Sequence, residues 1–325
     1  MKFFKGSTRG GFLQKTPLVK HILNINSHMR RNVHNIVILY KTSEVKRVQK
    51  KSLLSCPVCG GEMEHDEKSY RCENNHCFDI SKFGTVNLLQ SNSSKSKRHG
   101  DDTLMVTARR DFLDKDYYLP LANAIASLAK EHCPSGGVLA DIGCGEGYYT
   151  DIISKNAGFD KIIGIDISKQ ALRFANKRVC RDDVTAEFAV ASAFKLPIGD
   201  SIVDCLVNIF APFSASDFSR VIKNDGIVIR AFARKNHLIG LKQAIYDEVR
   251  NEDVEDLSLD GFEMIDSREL EYEITMDDGQ TIGDLFKMTP YYYKSSKESQ
   301  NRLGNLTNLS TKVHFCVCVY KKTYT

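Results

Sequence analysis

Within 22 residues of this chain stand Cys56, Cys59, Cys72, His76 and Cys77. The turn Cys56-Pro57-Val58-Cys59 brings two thiolates onto one ion. Cys72 with either His76 or Cys77 completes a tetrahedron, the donor set of a structural Zn²⁺ site with no open position for chemistry. Gly60-Gly61 lets the chain turn back tightly after the first pair. A second concentration is Asp141-Ile142-Gly143-Cys144-Gly145-Glu146-Gly147, which follows the apolar run Val138-Leu139-Ala140. Glycines Gly143, Gly145 and Gly147 permit a sharp turn and let a ligand approach the backbone where the next helix begins. Dinucleotide enzymes share such turns, so the glycines alone do not name the ligand.

Two acids narrow it. Asp141 stands two residues before the first glycine, and Asp166 ends the next apolar run, Ile163-Gly164-Ile165-Asp166, where it can hold both ribose hydroxyls. This pairing is similar to that of S-adenosylmethionine (SAM) methyltransferases, in which a carboxylate lies near the amino-acid end of the cofactor. Val190-Ala191-Ser192 ends a third run, where backbone groups or the Ser192 hydroxyl would meet the adenine edge. A fourth ends in Asn208-Ile209-Phe210-Ala211-Pro212-Phe213, beside the expected position of the methyl donor.

The elements that must position these residues alternate. Strand-like runs at 137–142, 162–167, 186–191, 203–210 and 226–232 are separated by helical segments such as 148–155 and 169–178, after a helical region over 104–130 interrupted near Pro120. Short apolar strands alternating with helices predict an α/β fold, a Rossmann-like parallel sheet covered on both faces. Later strands are expected at 271–275 and 313–320. The chain divides into a basic leader (1–51, read as a disordered tail or an upstream start, with Met29 as a later candidate), a zinc-binding module (52–90), a polar linker (91–101) and the methyltransferase domain (102–325).

Composition excludes other classes. The 325 residues are 42% hydrophobic and 26% charged, an ordinary globular balance. No run approaches the ~18 apolar residues of a membrane helix, so no membrane partner is expected. Residues 1–51 carry 12 Lys/Arg against one acid, Glu44, while the remaining 274 carry 33 basic against 40 acidic side chains. An acidic body can meet nucleic acid only through local basic patches. Lys95, Lys97, Arg98 and His99 of the linker are candidates, with Arg109 and Arg110. The scattered placement of the other cysteines suits a reduced, cytoplasmic protein.

Taken in order, these motifs resemble the RlmA (RrmA) family of 23S rRNA guanine-N1-methyltransferases. The resemblance is carried by Cys56-Pro57-Val58-Cys59, Gly84-Thr85-Val86-Asn87-Leu88-Leu89, Ala108-Arg109-Arg110-Asp111-Phe112-Leu113, the glycine loop through Thr150, and Met288-Thr289-Pro290. It implies SAM-dependent methylation of guanine 745 or 748 in a 23S rRNA hairpin, with SAM and Zn²⁺ as cofactors and room for a homodimer. The C-x3-H spacing of the family favours His76 over Cys77 as fourth ligand beside Cys56, Cys59 and Cys72. Motif matches assign Tyr118, Gly145, Glu146 and His237 to the cofactor or reaction site. The turn Lys223-Asn224-Asp225-Gly226 departs from the family's Lys-Pro-Gly-Gly, and the leader has no counterpart.

The sulfonium donor is already activated, so the protein's task is to align guanine N1 with the methyl group. A base drawn from its stack needs aromatic surface. Phe210 and Phe213 are expected as the stacking wall, with Asn208 supplying an orienting hydrogen bond. Two other readings compete: a small-molecule methyltransferase, which would have no use for the zinc module, and a non-catalytic zinc-dependent RNA-binding protein, in which the intact Asp141, glycine loop and Asp166 would be unexplained.

Overall fold

Strands β1 (Lys50–Ser55), β2 (Glu62–His65), β3 (Ser69–Cys72) and β4 (Cys77–Asp79) are too short and too charged to bury a core of their own. They pair antiparallel in the order β1-β2-β3-β4. Their buried side chains Leu54, Met63 and Tyr70 share one apolar cluster with Leu196, Ile198 and Phe218 of the larger domain. The structure, a computed structural model, describes residues 50–90, 101–249 and 256–323. The leader through residue 49 and the linker cations Lys95, Lys97, Arg98 and His99 lie outside the described residues. Lys50 and Lys51, assigned to the leader from sequence, instead open β1, and Lys51 Nζ lies 2.9 Å from Glu62.

Beyond β5 (Thr85–Asn87) the order is α1 (Thr103–Leu113), α2 (Leu119–His132), β6 (Val138–Ile142), α3 (Tyr148–Ala157), β7 (Lys161–Asp166), α4 (Lys169–Val179), β8 (Thr185–Val190) and β9 (Val203–Ile209). Then come α5 (Ala215–Val221), β10 (Ile222–Ala233), α6 (Ile239–Ile245), β11 (Phe262–Met276), α7 (Gly279–Lys287), α8 (Tyr291–Lys294), α9 (Lys297–Gly304) and β12 (Leu309–Lys322). The eight-stranded sheet runs β11-β12-β10-β9-β6-β7-β8-β5. It is parallel from β10 to β5, and β12 is antiparallel to both its neighbours. This is the Rossmann-like methyltransferase sheet expected from the alternating runs.

Every residue of β6 is buried, as a central parallel strand covered on both faces requires. Alternation then sorts side chains by face. Leu139, Val207 and Ile229 pack with Leu121, Ile125 and Leu128 of α2. Ala140, Leu206 and Val228 face the other way, into the cluster that the zinc module also enters. The chain leaves β6 toward β7 on one side while β9 lies on the other, so a crevice opens at the C-terminal ends of β6 and β9.

The zinc-module segment is built into this sheet. Strand β5 pairs parallel with β8, Val86 opposite Ala189, so residues 85–87 belong to the eight-stranded sheet although they fall within the 52–90 segment. Glu187 in β8, 2% exposed, accepts a hydrogen bond from Ser52 Oγ (2.6 Å) and another from the Leu53 amide (2.8 Å). A buried carboxylate without such partners would be costly, so Glu187 ties β1 to the larger domain.

Candidate cofactor crevice and metal centre

In the small sheet the two Cys/His pairs meet. The Sγ atoms of Cys56, Cys59 and Cys72 and a ring nitrogen of His76 all lie within 4.8 Å of one another. His76 Nδ1 is 3.6 Å from Cys56 Sγ and 3.4 Å from Cys72 Sγ, and Cys59 Sγ is 3.7 Å from Cys72 Sγ. A tetrahedral ion with Zn–S of ~2.3 Å and Zn–N of ~2.0 Å has edges of about 3.8 Å (S–S) and about 3.6 Å (S–N). These three edges, which between them touch all four donors, already match a zinc tetrahedron. Cys77 is exposed in β4, with its backbone paired to Arg71, and is not in this cluster. Hydrogen bonds from the Asn74 side chain and the Gly61 amide hold the Cys59 thiol down at about 6, toward the thiolate that a metal takes.

The glycine loop carries out three distinct tasks. At Gly143 (φ +86°) an added Cβ would lie 2.3 Å from the Ala211 Cβ, so the loop after β6 and the loop after β9 touch only because that side chain is missing. Gly145 (φ +55°) faces open space, with only Arg109 Nη1 within 4 Å of an added Cβ. The loop amides themselves are spent internally. Gly143 and Cys144 donate to Ile165 O, Gly147 to Cys144 O, and Gly145 to Asp166 Oδ2 at 2.9 Å. A pyrophosphate cradle needs free N–H groups, and this loop commits four of them.

Carboxylates line the crevice instead. Asp141 and Glu146 are each 2% exposed. Burial pushes Asp141 up to about 7, opposed by the Thr150 hydroxyl at 2.6 Å and reinforced by the charges of Asp166 and Glu146. Burial also raises Glu146, against the pull of Arg109, and raises Asp166 against the amides of Ser168 (2.7 Å) and Gly145. Three acids that burial drives toward neutrality form a site suited to a cation. SAM brings a sulfonium and an ammonium, whereas a dinucleotide brings phosphates, so the residues present fit SAM. Tyr118 adds a second sign of fit. It is 4% exposed, and among the described residues its hydroxyl has no hydrogen-bond partner. Such an orphaned group calls for a ligand.

Around Tyr118 an aromatic corner closes the far side of the crevice. Its ring meets Phe315 edge-on at 5.1 Å, and Phe315 lies 4.6 Å from His237 and 5.5 Å from Phe210. Non-glycine residues with positive φ recur beside these groups: Asp116 (62°) before Tyr118, Phe210 itself (51°) and Leu238 (56°) after His237. Bulky residues avoid this region, and such strain gathers at functional sites. His237 Nδ1 accepts the His314 amide at 3.4 Å, which leaves the ring proton on Nε2. Burial and the nearby charges of Lys242 and His314 push His237 down to about 3. It is a neutral donor at physiological pH, not a base.

Several sequence-based expectations change. Asn208, expected to orient the target base, is 1% exposed. Its amide donates to Ile142 O (2.9 Å) and Pro212 O (3.1 Å), and its oxygen accepts from Arg230 Nε (3.3 Å). Both amide hydrogens of Asn208 are thus committed to the loop that presents Phe210, which leaves only an acceptor position on its oxygen. Arg109, expected on RNA phosphates, is ion-paired to Asp101 at 2.5 Å and sits over the glycine loop. Arg110 is tied to Asp111 and stacked 4.7 Å over Phe174. Phe210 is 48% exposed, while Phe213, 37% exposed, has one face covered by Arg230 at 3.7 Å. The Ser192 hydroxyl accepts the Phe194 amide at 3.2 Å at the end of β8, so it holds its own turn.

Comparison with known proteins adds an independent line. Residues 54–97 match a zinc-ribbon family described as RlmA, N-terminal, and residues 139–226 match a family described as methyltransferase domain. The chain is 28% identical over 277 residues to the 23S rRNA (guanine(748)-N(1))-methyltransferase of Streptomyces fradiae, covering 82% of this chain and 96% of that protein. It is 30% identical over 295 residues to a Bacillus subtilis protein provisionally named a 23S rRNA (guanine-N(1)-)-methyltransferase, covering 86% of this chain and all of its relative. A Micromonospora griseorubida protein provisionally given the same function is 31% identical over 207 residues, 58% of this chain and 68% of the relative.

Proposed function

The chain belongs to the 23S rRNA (guanine-N1)-methyltransferase family, and from that premise we propose that it methylates N1 of the guanine at position 748 in a 23S rRNA hairpin. The single observation that carries the cofactor half of this reading is the acid-lined loop whose amides are spent internally, a setting for a sulfonium and not for a pyrophosphate. The position within the hairpin draws its support from the Streptomyces relative, which acts at guanine 748; modification at guanine 745 would correct it.

Bound SAM supplies a methyl group already activated on sulfur. The chain's part is to bind and align. In our reading Asp166 takes the ribose hydroxyls with the lone pairs its two amide bonds leave free. Asp141 and Glu146 provide negative charge facing the amino-acid end. Tyr118 Oη and the Nε2–H of His237 supply donors from the aromatic corner. Gly143 and Gly147 shape the loop, Gly145 leaves room for the cofactor, and Ser192 closes the adenine side. Phe210, with its exposed ring held at a strained backbone, is the stacking surface for the extruded guanine, backed by Phe213. Holding N1 in line with the methyl group is where the rate is gained. The N1–H bond breaks as the N1–CH3 bond forms and its proton passes to water, because His237, a neutral N–H donor, orients and does not take it.

We assign residues 52–90 to recognition of the hairpin, with Cys56, Cys59, Cys72 and His76 holding a structural Zn²⁺, and 102–325 to catalysis. The reading assigns no role to a partner subunit. Its place of action is taken to be the cytoplasm, with its rRNA substrate. Mass mapping of 23S rRNA from cells with and without the gene tests the proposal. One methyl group on the hairpin guanine, lost with the gene, is expected; an unchanged rRNA methylation pattern would reject it.

A further inference from the structure

The cations expected to meet RNA from sequence are either outside the described residues or, like Arg109 and Arg110, ion-paired. A different set emerges where the zinc module meets the catalytic domain. On α4, Lys169, Arg173 and Lys177 recur every fourth residue and are all exposed. They form one stripe with about 6 Å of rise between neighbours. Loop 81–84 of the zinc module lies across the middle of this stripe. The Arg173 guanidinium stacks 4.1 Å over the Phe83 ring, and Lys82 Nζ lies 5.1 Å from the same ring.

Two contacts fix the loop to the helix. Asn176 Nδ2 donates to Phe83 O at 2.8 Å. At Gly84 (φ +75°) an added Cβ would fall 2.4 Å from Asn176 Nδ2, so the approach is as close as the backbone allows. The two modules therefore present their cations as one rigid surface. Among the described residues, Lys82, Lys169 and Lys177 have no ion-pair partner, and Arg173 bonds to the neutral Gln170. Arg178, on the same helix, is by contrast paired to Asp114. The stripe begins at the crevice: Lys169 follows Ser168, whose amide caps Asp166.

We infer that the outer face of α4 and loop 81–84 form a composite site for the phosphate backbone of the substrate RNA, leading from the rim of the cofactor crevice across the seam to the zinc module. The inference rests on the rRNA reading above and adds to it the path of the strand. Helix-borne cations at this spacing can follow successive phosphates along one strand. The partly exposed Phe83, backed by a guanidinium, offers a surface on which a base can stack. Such contacts position the RNA without reading its sequence.

The test is a Lys169→Ala/Arg173→Ala/Lys177→Ala variant of the full chain, with a 23S hairpin transcript as probe. Its RNA affinity should fall at least tenfold at low salt. The slope of log affinity against log salt should shrink by about two, since each phosphate contact in a single strand accounts for about 0.7. SAM affinity and zinc content should match wild type. Lys82→Ala alone should reduce the slope by about 0.7, which separates a surface effect from a damaged helix. A triple variant with wild-type affinity and slope, alongside active wild-type protein, overturns the inference and leaves the reading above standing. The same holds if the variant binds free RNA normally and fails only on ribosomal particles, which would assign the stripe to a protein partner. Wild-type protein that neither binds nor methylates the hairpin overturns both.

Discussion

Replacing Asp166 with alanine should act twice, on folding and on the cofactor, and the structure separates the two effects. Its carboxylate accepts the Gly145 amide at 2.9 Å and the Ser168 amide at 2.7 Å. Losing both charge-assisted bonds in a partly exposed position costs about 2 kcal/mol of stability, or a fall of roughly 4–8 °C in Tm for a domain of this size. Losing the acceptor for the ribose hydroxyls costs a further 1.5–3 kcal/mol of binding, about a 10- to 150-fold rise in the Kd for SAM. Calorimetric titration at 25 °C, well below the transition, reads the second effect, and a thermal melt without cofactor reads the first. An Asp166→Ala protein that melts lower yet binds SAM within twofold of wild type would refute the ribose assignment and leave Asp166 a loop brace. Tighter binding of NAD than SAM by the wild-type protein would refute the cofactor class.

Three further outcomes follow from the same geometry. Cys59→Ser and His76→Ala should each release zinc from a protein that otherwise carries about one ion per chain, while Cys77→Ser keeps it; elemental analysis reads this, and the opposite result for residues 76 and 77 would reassign the fourth ligand. Phe210→Ala should lower rRNA methylation by about 5- to 150-fold, the ~1–3 kcal/mol of one base–aromatic stack, with SAM affinity unchanged; full activity would remove Phe210 from the site. SAM affinity should rise with pH and level off above about 7, because a cationic cofactor favours the ionised form of an Asp141 held at about 7 in its absence. Calorimetry in buffers of different ionisation heat should then show proton release on binding at pH 6.5, and flat affinity from pH 6 to 8 would contradict this.

What was legible in the sequence was local. The zinc quartet and the glycine loop are short motifs whose spacing goes far toward setting their geometry, and the alternation of short apolar runs with helical segments predicts a parallel sheet covered on both faces, though not its strand order. What was not legible depends on residues far apart in the chain. Glu187 reads as an odd acid in an apolar strand until Ser52, 135 residues away, is placed against it. Asn208 ends a strand where the sequence leads one to expect the target base, and only the positions of Ile142 O, Pro212 O and Arg230 show that its amide hydrogens are committed. Arg109 looked like a free cation because its partner Asp101 sits at the end of a polar linker, just before the helix that carries Arg109. Strand β5 was read as the tail of the zinc module, since three residues carry too little periodicity to declare which sheet they will join.

An enzyme that recognises a 23S hairpin through its zinc module and methylates guanine N1 from SAM should need nothing else in solution. The most direct measurement incubates purified, zinc-loaded protein with SAM and a 23S hairpin transcript, then locates the methyl group by mass spectrometry of the digested RNA. One methyl on N1 of a single guanine is expected, its yield lost in Asp166→Ala at SAM concentrations that saturate only the wild type, and lost in Cys59→Ser. Methylation of another atom, of small molecules in preference to the hairpin, or of the hairpin by zinc-free protein at the wild-type rate would contradict it.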